Sequence, residues 1–135
     1  MTYRSTNPFT NKVEKSFDEL SDQQLQVKLQ AAHDCFENTW RGQSFAQRKL
    51  VLKRAAALMR ERQQSLAELA TREMGKLIAQ SVGEVALSAA IIDYYADNAE
   101  AFLASETLKT DKGHAVVESS PVGVVFGVEP WNFPY

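Results

Sequence analysis

Between residues 21 and 104 the apolar positions recur at helical spacing, and after residue 105 they do not. Leu25, Leu29, Ala32, Phe36 and Trp40 follow one another at intervals of four and three, one face of a helix. Ser21 and Gln24 form a capping-box pattern at its start, Leu20 and Leu25 stand in hydrophobic-staple positions, and Gly42 is a fitting stop. Ser44 with Gln47 opens a second helix in the same way. Its inward set is Leu50, Val51, Ala55, Leu58 and Met59, with Arg48, Lys49, Lys53, Arg54, Arg60 and Arg62 mostly outward. The pattern continues through Leu66, Leu69 and Ala70 to Gly75, a length that predicts a bend or restart near Gln63 to Ser65. A third helix is predicted over about residues 77–104, with Val82, Val85, Ala86, Ala89, Ile92, Tyr95, Ala99 and Phe102 on its buried side. Its alanine- and serine-rich middle permits close approach of neighbours.

Shorter patterns flank these helices. Residues 1–16 are polar with turn signals at Asn7-Pro8 and Thr10-Asn11, and read as an extended segment with a short hairpin. Two strand-like runs, 107–110 and 114–119, surround Asp111-Lys112-Gly113, a three-residue turn with glycine last. In the final stretch, Val122, Val124, Val125, Phe126 and Val128 are β-branched or aromatic and uninterrupted by charge, as in a strand covered on both faces. Gly123 and Gly127 suggest close backbone approach, and the run is not a GxGxxG fingerprint. Pro130 and Pro134 end the strand and fence a Trp-Asn pair. Residue types alone fit both a functional loop and an ordinary proline-rich exit turn.

Composition adds mainly exclusions. The chain has 135 residues, 44% hydrophobic and 24% charged, which is ordinary for a globular protein. A domain of this length buries about two-thirds of its surface on folding. A net charge of −2 without a basic stripe gives no reason to expect nucleic acid or an anionic membrane as partner. No stretch approaches transmembrane length without charge, and the N-terminus has no apolar leader pattern. The one cysteine makes no intramolecular disulfide, and a cytoplasmic location is the expectation. There are no internal repeats.

Few side chains invite chemistry. Cys35 lies beside Phe36 on or near the apolar stripe, with no glycine-rich turn or nearby base, and reads as a structural thiol. His33 and His114 have no second ligand at metal spacing, so no metal site is expected. Glu73 and Glu84 read as surface or capping carboxylates, and Tyr94-Tyr95 as core or interface.

The run Glu129-Pro130-Trp131-Asn132-Phe133-Pro134, preceded by Pro121-Val122-Gly123-Val124-Val125, resembles the signature of the NAD(P)-dependent aldehyde dehydrogenase superfamily. Weaker matches occur in the right order: Asn7-Pro8-Phe9-Thr10, then Thr71-Arg72-Glu73-Met74-Gly75-Lys76, then Gly83-Glu84-Val85 and Tyr94-Tyr95-Ala96. The resemblance runs from about residue 5 to residue 135. Glu129, where many members have Thr, and the lead-in Val117-Glu118-Ser119-Ser120-Pro121 resemble the bacterial succinate-semialdehyde-dehydrogenase-like branch.

The resemblance implies an α/β aldehyde-dehydrogenase-like fold in the full protein. This chain would be mainly α, with three long helices, a β-hairpin and the first strand of the nucleotide-binding sheet. Residues 1–104 would be the N-terminal helical part of the cofactor-binding domain, 105–120 an oligomerisation-arm hairpin, and 121–135 the first strand and its loop. Backbone at Val128, Glu129, Pro130 and Trp131 would line the nicotinamide side of an NAD or NADP cleft, and Asn132 would donate its amide to an oxyanion. The implied substrate is a small aldehyde, such as succinate semialdehyde, oxidised to the acid by a homo-oligomer. The family's nucleophilic Cys in its Gly-Gln-x-Cys context, its general-base Glu and its glycine motif would lie beyond residue 135, and Cys35 is not in that context. The chain thus reads as the N-terminal piece of such an enzyme. Alone it is expected to be inactive and to bind NAD or NADP weakly or not at all. The other reading of the same residues is a non-catalytic, self-associating helical fragment.

Overall fold

The computed structural model describes residues 3–135, so the first two residues of the expected N-terminal segment lie outside it. A hairpin opens the chain: β1 (Tyr3–Asn7) pairs antiparallel with β2 (Lys12–Phe17), with a register shift between Ser5 and Thr6. The Asn7 side chain organises the turn, its Oδ1 accepting from the N–H groups of Phe9 at 2.9 Å and Thr10 at 3.2 Å.

Four helices follow. α1 (Asp22–Cys35) starts at the Ser21–Gln24 capping box and runs into a π-helical turn, Phe36–Trp40. α2 (Phe45–Glu61) starts at the Ser44–Gln47 box. Both predicted boxes are present with both of their reciprocal bonds. α3 (Gln63–Met74) is separated from α2 at Arg62, which leaves helical geometry, so the expected restart occurs one residue early. α4 (Ile78–Phe102) is the longest helix and packs against both α2 and α3.

The core lies along these α4 contacts and consists of small residues: Ala56, Ala67, Ala70, Val85, Ala89 and Ala96, with Ser81 fully buried among them. Thr71 and Ser81 join hydroxyls at 2.9 Å between α3 and α4, which satisfies the buried serine. Side chains this short let helix axes approach closely, and an added methylene at such a site typically costs about 1–3 kcal/mol.

Three expectations of burial are corrected. Leu25 and Leu29 on α1 are 45% and 44% exposed, and α1 buries none of its residues. Cys35 is exposed with them. Leu50 and Val51 on α2 are exposed, as are Tyr95 and Phe102 on α4. Periodicity marked the apolar face in each case, but α2 and α4 use only the part of that face that meets the alanine-rich seam.

β3 (Glu106–Thr110) and β4 (Gly113–Val117) form the predicted hairpin. Thr110 pairs with Gly113, so the turn has two residues, Asp111 and Lys112, and Gly113 begins the second strand at φ 123°. The strand expected over residues 122–128 is not formed: residues 121–130 carry no regular secondary structure, and 121–129 make no backbone–backbone hydrogen bond among the described residues, so the run has no partner strand to pair with. Gly123 sits at φ 93°, with the Phe36 ring 3.7 Å from where a Cβ would stand. The valine-rich run lies bare: Phe126 is 88% exposed.

Candidate functional site

The proline-fenced loop closes as a turn, with the Phe133 N–H donating to the Pro130 carbonyl at 3.2 Å. Asn132 is half-buried within it, and its side chain makes no hydrogen bond among the described residues. That is unusual for an asparagine in a turn, whose side chain commonly bonds nearby backbone. Asn7 does so here, and within α4 Asn98 donates to the Tyr94 carbonyl at 2.8 Å, whereas Asn11, in the first hairpin turn at φ 53°, like Asn132 makes no side-chain hydrogen bond among the described residues. The Asn132 amide is therefore uncommitted.

Beneath the loop lies an ion pair that sequence reasoning missed. Lys76 Nζ and Glu84 Oε2 are in direct contact, with side chains 7% and 5% exposed. The other oxygen, Glu84 Oε1, accepts from the Tyr135 N–H at 3.1 Å. Lys76 Nζ also stands 3.8 Å from the centroid of the Phe133 ring. The Tyr135 hydroxyl donates to the Leu66 carbonyl at 3.0 Å. Burial, and then the negative charge of Glu84, raise the Tyr135 phenol above its usual range, so it remains a donor at neutral pH. Glu84, expected at the surface, is instead the centre of this arrangement, and its sequence context of Gly83 and Val85 carries no sign of that.

Local folding places the pair. Gly75 ends α3 in the left-handed region at φ 76°, its N–H bonded to the Thr71 carbonyl, and a Cβ there would lie 3.3 Å from Pro8 Cγ. The chain reverses at once into α4, which brings Glu84, two turns into that helix, back over Lys76. Glu73, the other carboxylate expected at the surface, is exposed and accepts from the buried Ser5 hydroxyl at 2.5 Å, tying the N-terminal hairpin to α3.

Val128, Glu129, Pro130 and Trp131 form an exposed strip leading to Asn132, with Trp131 77% exposed. An open cleft of about 570 Å³ lies between Pro8, the Leu69–Met74 side of α3, Trp131 and Tyr135; Asn132 does not line it. His33 and His114 are exposed and far apart in sequence, and among the described residues no group of three or more His, Cys, Asp or Glu gathers to hold a metal. No helix among them is long and apolar enough to cross a membrane.

The chain resembles solved dehydrogenases throughout. Succinic semialdehyde dehydrogenase from Streptococcus pyogenes, solved in complex with NADP+, matches with a TM-score of 0.92 and 42% identity over 98% of this chain and 29% of its own. The NADP(+) succinate-semialdehyde dehydrogenase of Deinococcus radiodurans is 37% identical over 98% of this chain and 28% of its own length. A probable enzyme of the same description from Synechocystis is also 37% identical, over 100% of this chain and 30% of its own. The chain thus spans less than a third of these relatives. The fold is that of aldehyde-dehydrogenase-type enzymes. The aldehyde dehydrogenase family profile matches residues 1–135, and the chain belongs to that family.

Proposed function

We propose that residues 1–135 form the N-terminal portion of an NADP-dependent dehydrogenase that oxidises succinate semialdehyde to the dicarboxylate. Within it, Asn132 is the oxyanion donor. The observation that carries this reading is the uncommitted Asn132 amide in a turn fixed at Pro130, Phe133 and Tyr135. When a nucleophile attacks an aldehyde, the carbonyl oxygen gains negative charge, and a fixed amide N–H stabilises that transition state more than the ground state. Asparagine supplies the donor without titrating, and an anchored loop avoids ordering it during the reaction.

The strip from Val128 to Trp131 is suited to the nicotinamide end of NADP+, the group that accepts hydride when bound. Its backbone hydrogen-bonding groups at Val128 and Glu129 are open, Trp131 offers a flat apolar face, and the Glu129 carboxylate favours a cationic ring. The choice of NADP and of succinate semialdehyde is supported by the names of the relatives. No residue of this chain is assigned as nucleophile: Cys35 is exposed on α1, away from the loop in sequence. Residues 1–104 would then serve as the helical part of the cofactor domain, 105–120 as an arm between subunits, and 121–135 as the first strand and loop.

The test is the rate of NADPH formation from succinate semialdehyde by the full-length enzyme that carries these residues, and by residues 1–135 alone. The reading predicts turnover by the former, with NADP+ preferred to NAD+, and none by the latter. Turnover by mass-verified residues 1–135 would contradict it. A second reading, a self-associating fragment without catalysis, is favoured by the bare run of Val122, Val125, Phe126 and Val128.

A further inference from the structure

The Asn132 side chain makes no hydrogen bond among the described residues, yet the residues after it are held by two buried charges. Glu84 divides its oxygens, Oε2 to Lys76 and Oε1 to the Tyr135 N–H. Lys76 divides its charge likewise, between Glu84 and the face of Phe133. Removing two such charges from water is costly, and a pair of apolar side chains of similar volume is often at least as stabilising. Stability alone therefore explains poorly why an ion pair lies under this loop.

We infer that the buried Lys76–Glu84 pair positions the Asn132 amide, acting through Phe133 and Tyr135. Neither residue touches the reacting atoms; both are positioning residues. The inference rests on the reading of Asn132 as oxyanion donor. A carboxylate is the one side chain here that can accept strongly from an ammonium and from a backbone N–H at once. The ammonium in turn holds an aromatic face that an apolar side chain would leave free to rotate. With the Phe133 N–H closing on Pro130, Asn132 is bracketed on both sides. Displacing a catalytic group by about 1 Å can lower the rate about a hundredfold.

The experiment measures kcat and KM in the full-length dehydrogenase. Both charges are removed together, so that neither is left buried alone. Lys76→Met/Glu84→Leu abolishes the acceptor for the Tyr135 N–H, and Lys76→Met/Glu84→Gln retains one. The inference predicts a loss in kcat of roughly tenfold to a hundredfold for the leucine variant, with KM for NADP+ nearly unchanged, and a smaller loss for the glutamine variant. It further predicts that in an Asn132→Ala background the leucine variant loses less than about twofold more, because residues acting as a unit are non-additive. If the leucine variant does not fold, the glutamine variant is compared in the two backgrounds by the same criterion. An equal fold-loss in both backgrounds, or none in either, overturns the inference while leaving the role of Asn132 intact. An Asn132→Ala enzyme with normal kcat overturns that role, and the inference with it.

Discussion

Lys76 and Glu84, eight residues apart across the Gly75 reversal, form a buried ion pair on which the Trp-Asn loop rests. Removing one partner strands a charge, so Lys76→Met or Glu84→Leu alone is expected to destabilise the chain by roughly 3–5 kcal/mol, whereas the double replacement is near neutral. Urea unfolding followed by circular dichroism checks this. A double replacement as damaging as either single one would show that the charges themselves hold the fold.

Gly75 should resist substitution for two reasons. Its φ of 76° disfavours a side chain, and the added Cβ would press on Pro8 at 3.3 Å. Gly75→Ala is expected to cost about 1–2 kcal/mol from the left-handed backbone alone. A shift in the urea midpoint measures it, and an unchanged midpoint would mean that the reversal is not constrained there.

The α2–α4 seam carries a second, exposed set of charges. Lys53 bonds Asp97 at 2.6 Å and Asp93 at 3.2 Å, Lys49 bonds Asp97 at 2.8 Å, and Arg60 bonds Asp93 at 2.5 Å. Arg60 and then Lys53 hold Asp93 below its usual 3.8, and Lys49 and then Lys53 hold Asp97 below the same value. Asp97 foremost raises Lys53 above 10.5. A depressed carboxylate stabilises above its unfolded value and loses that contribution as pH falls through the folded one, so the acid limb lies below 3.8. A raised ammonium stabilises below its unfolded value and loses that contribution as pH rises through the folded one, so the alkaline limb lies above 10.5. Asp93→Asn/Asp97→Asn should flatten the part of both limbs due to these groups in pH-dependent unfolding, and added salt should weaken it, because the pairs are exposed. Limbs unaltered by the substitutions would assign the pH dependence elsewhere.

How far the sequence predicted this arrangement depends on the range of the interactions. The capping boxes at Ser21 and Ser44, the break after α2 and the stop at Gly75 are local, set by side chains within four residues, and all were legible. The motif around Asn132 was legible as a sequence pattern. The faces that pack were less so: Leu50 and Val51 stand at inward spacing yet remain exposed, because periodicity marks a face without saying what covers it. Glu84 was misread for a related reason. Its burial depends on where the reversal at Gly75 brings α4 and on Tyr135, 51 residues away, and a local pattern records neither packing partner.

Residues 1–135 in isolation are expected to self-associate through the bare run around Phe126, since open backbone groups and apolar side chains together template pairing. Light scattering should report species larger than a monomer, and Val125→Lys/Phe126→Lys should reduce them. A clean monomer at high concentration would contradict this. Calorimetry on the same sample should show weak NADP+ binding or none.

For Asn132 the decisive measurement is kcat of Asn132→Ala in the full-length dehydrogenase, with NADP+ affinity measured alongside. Loss of an oxyanion donor is expected to lower kcat by roughly a hundredfold or more while the cofactor binds as before. A variant that keeps near-normal kcat would leave Asn132 as a turn residue with no part in stabilising an oxyanion.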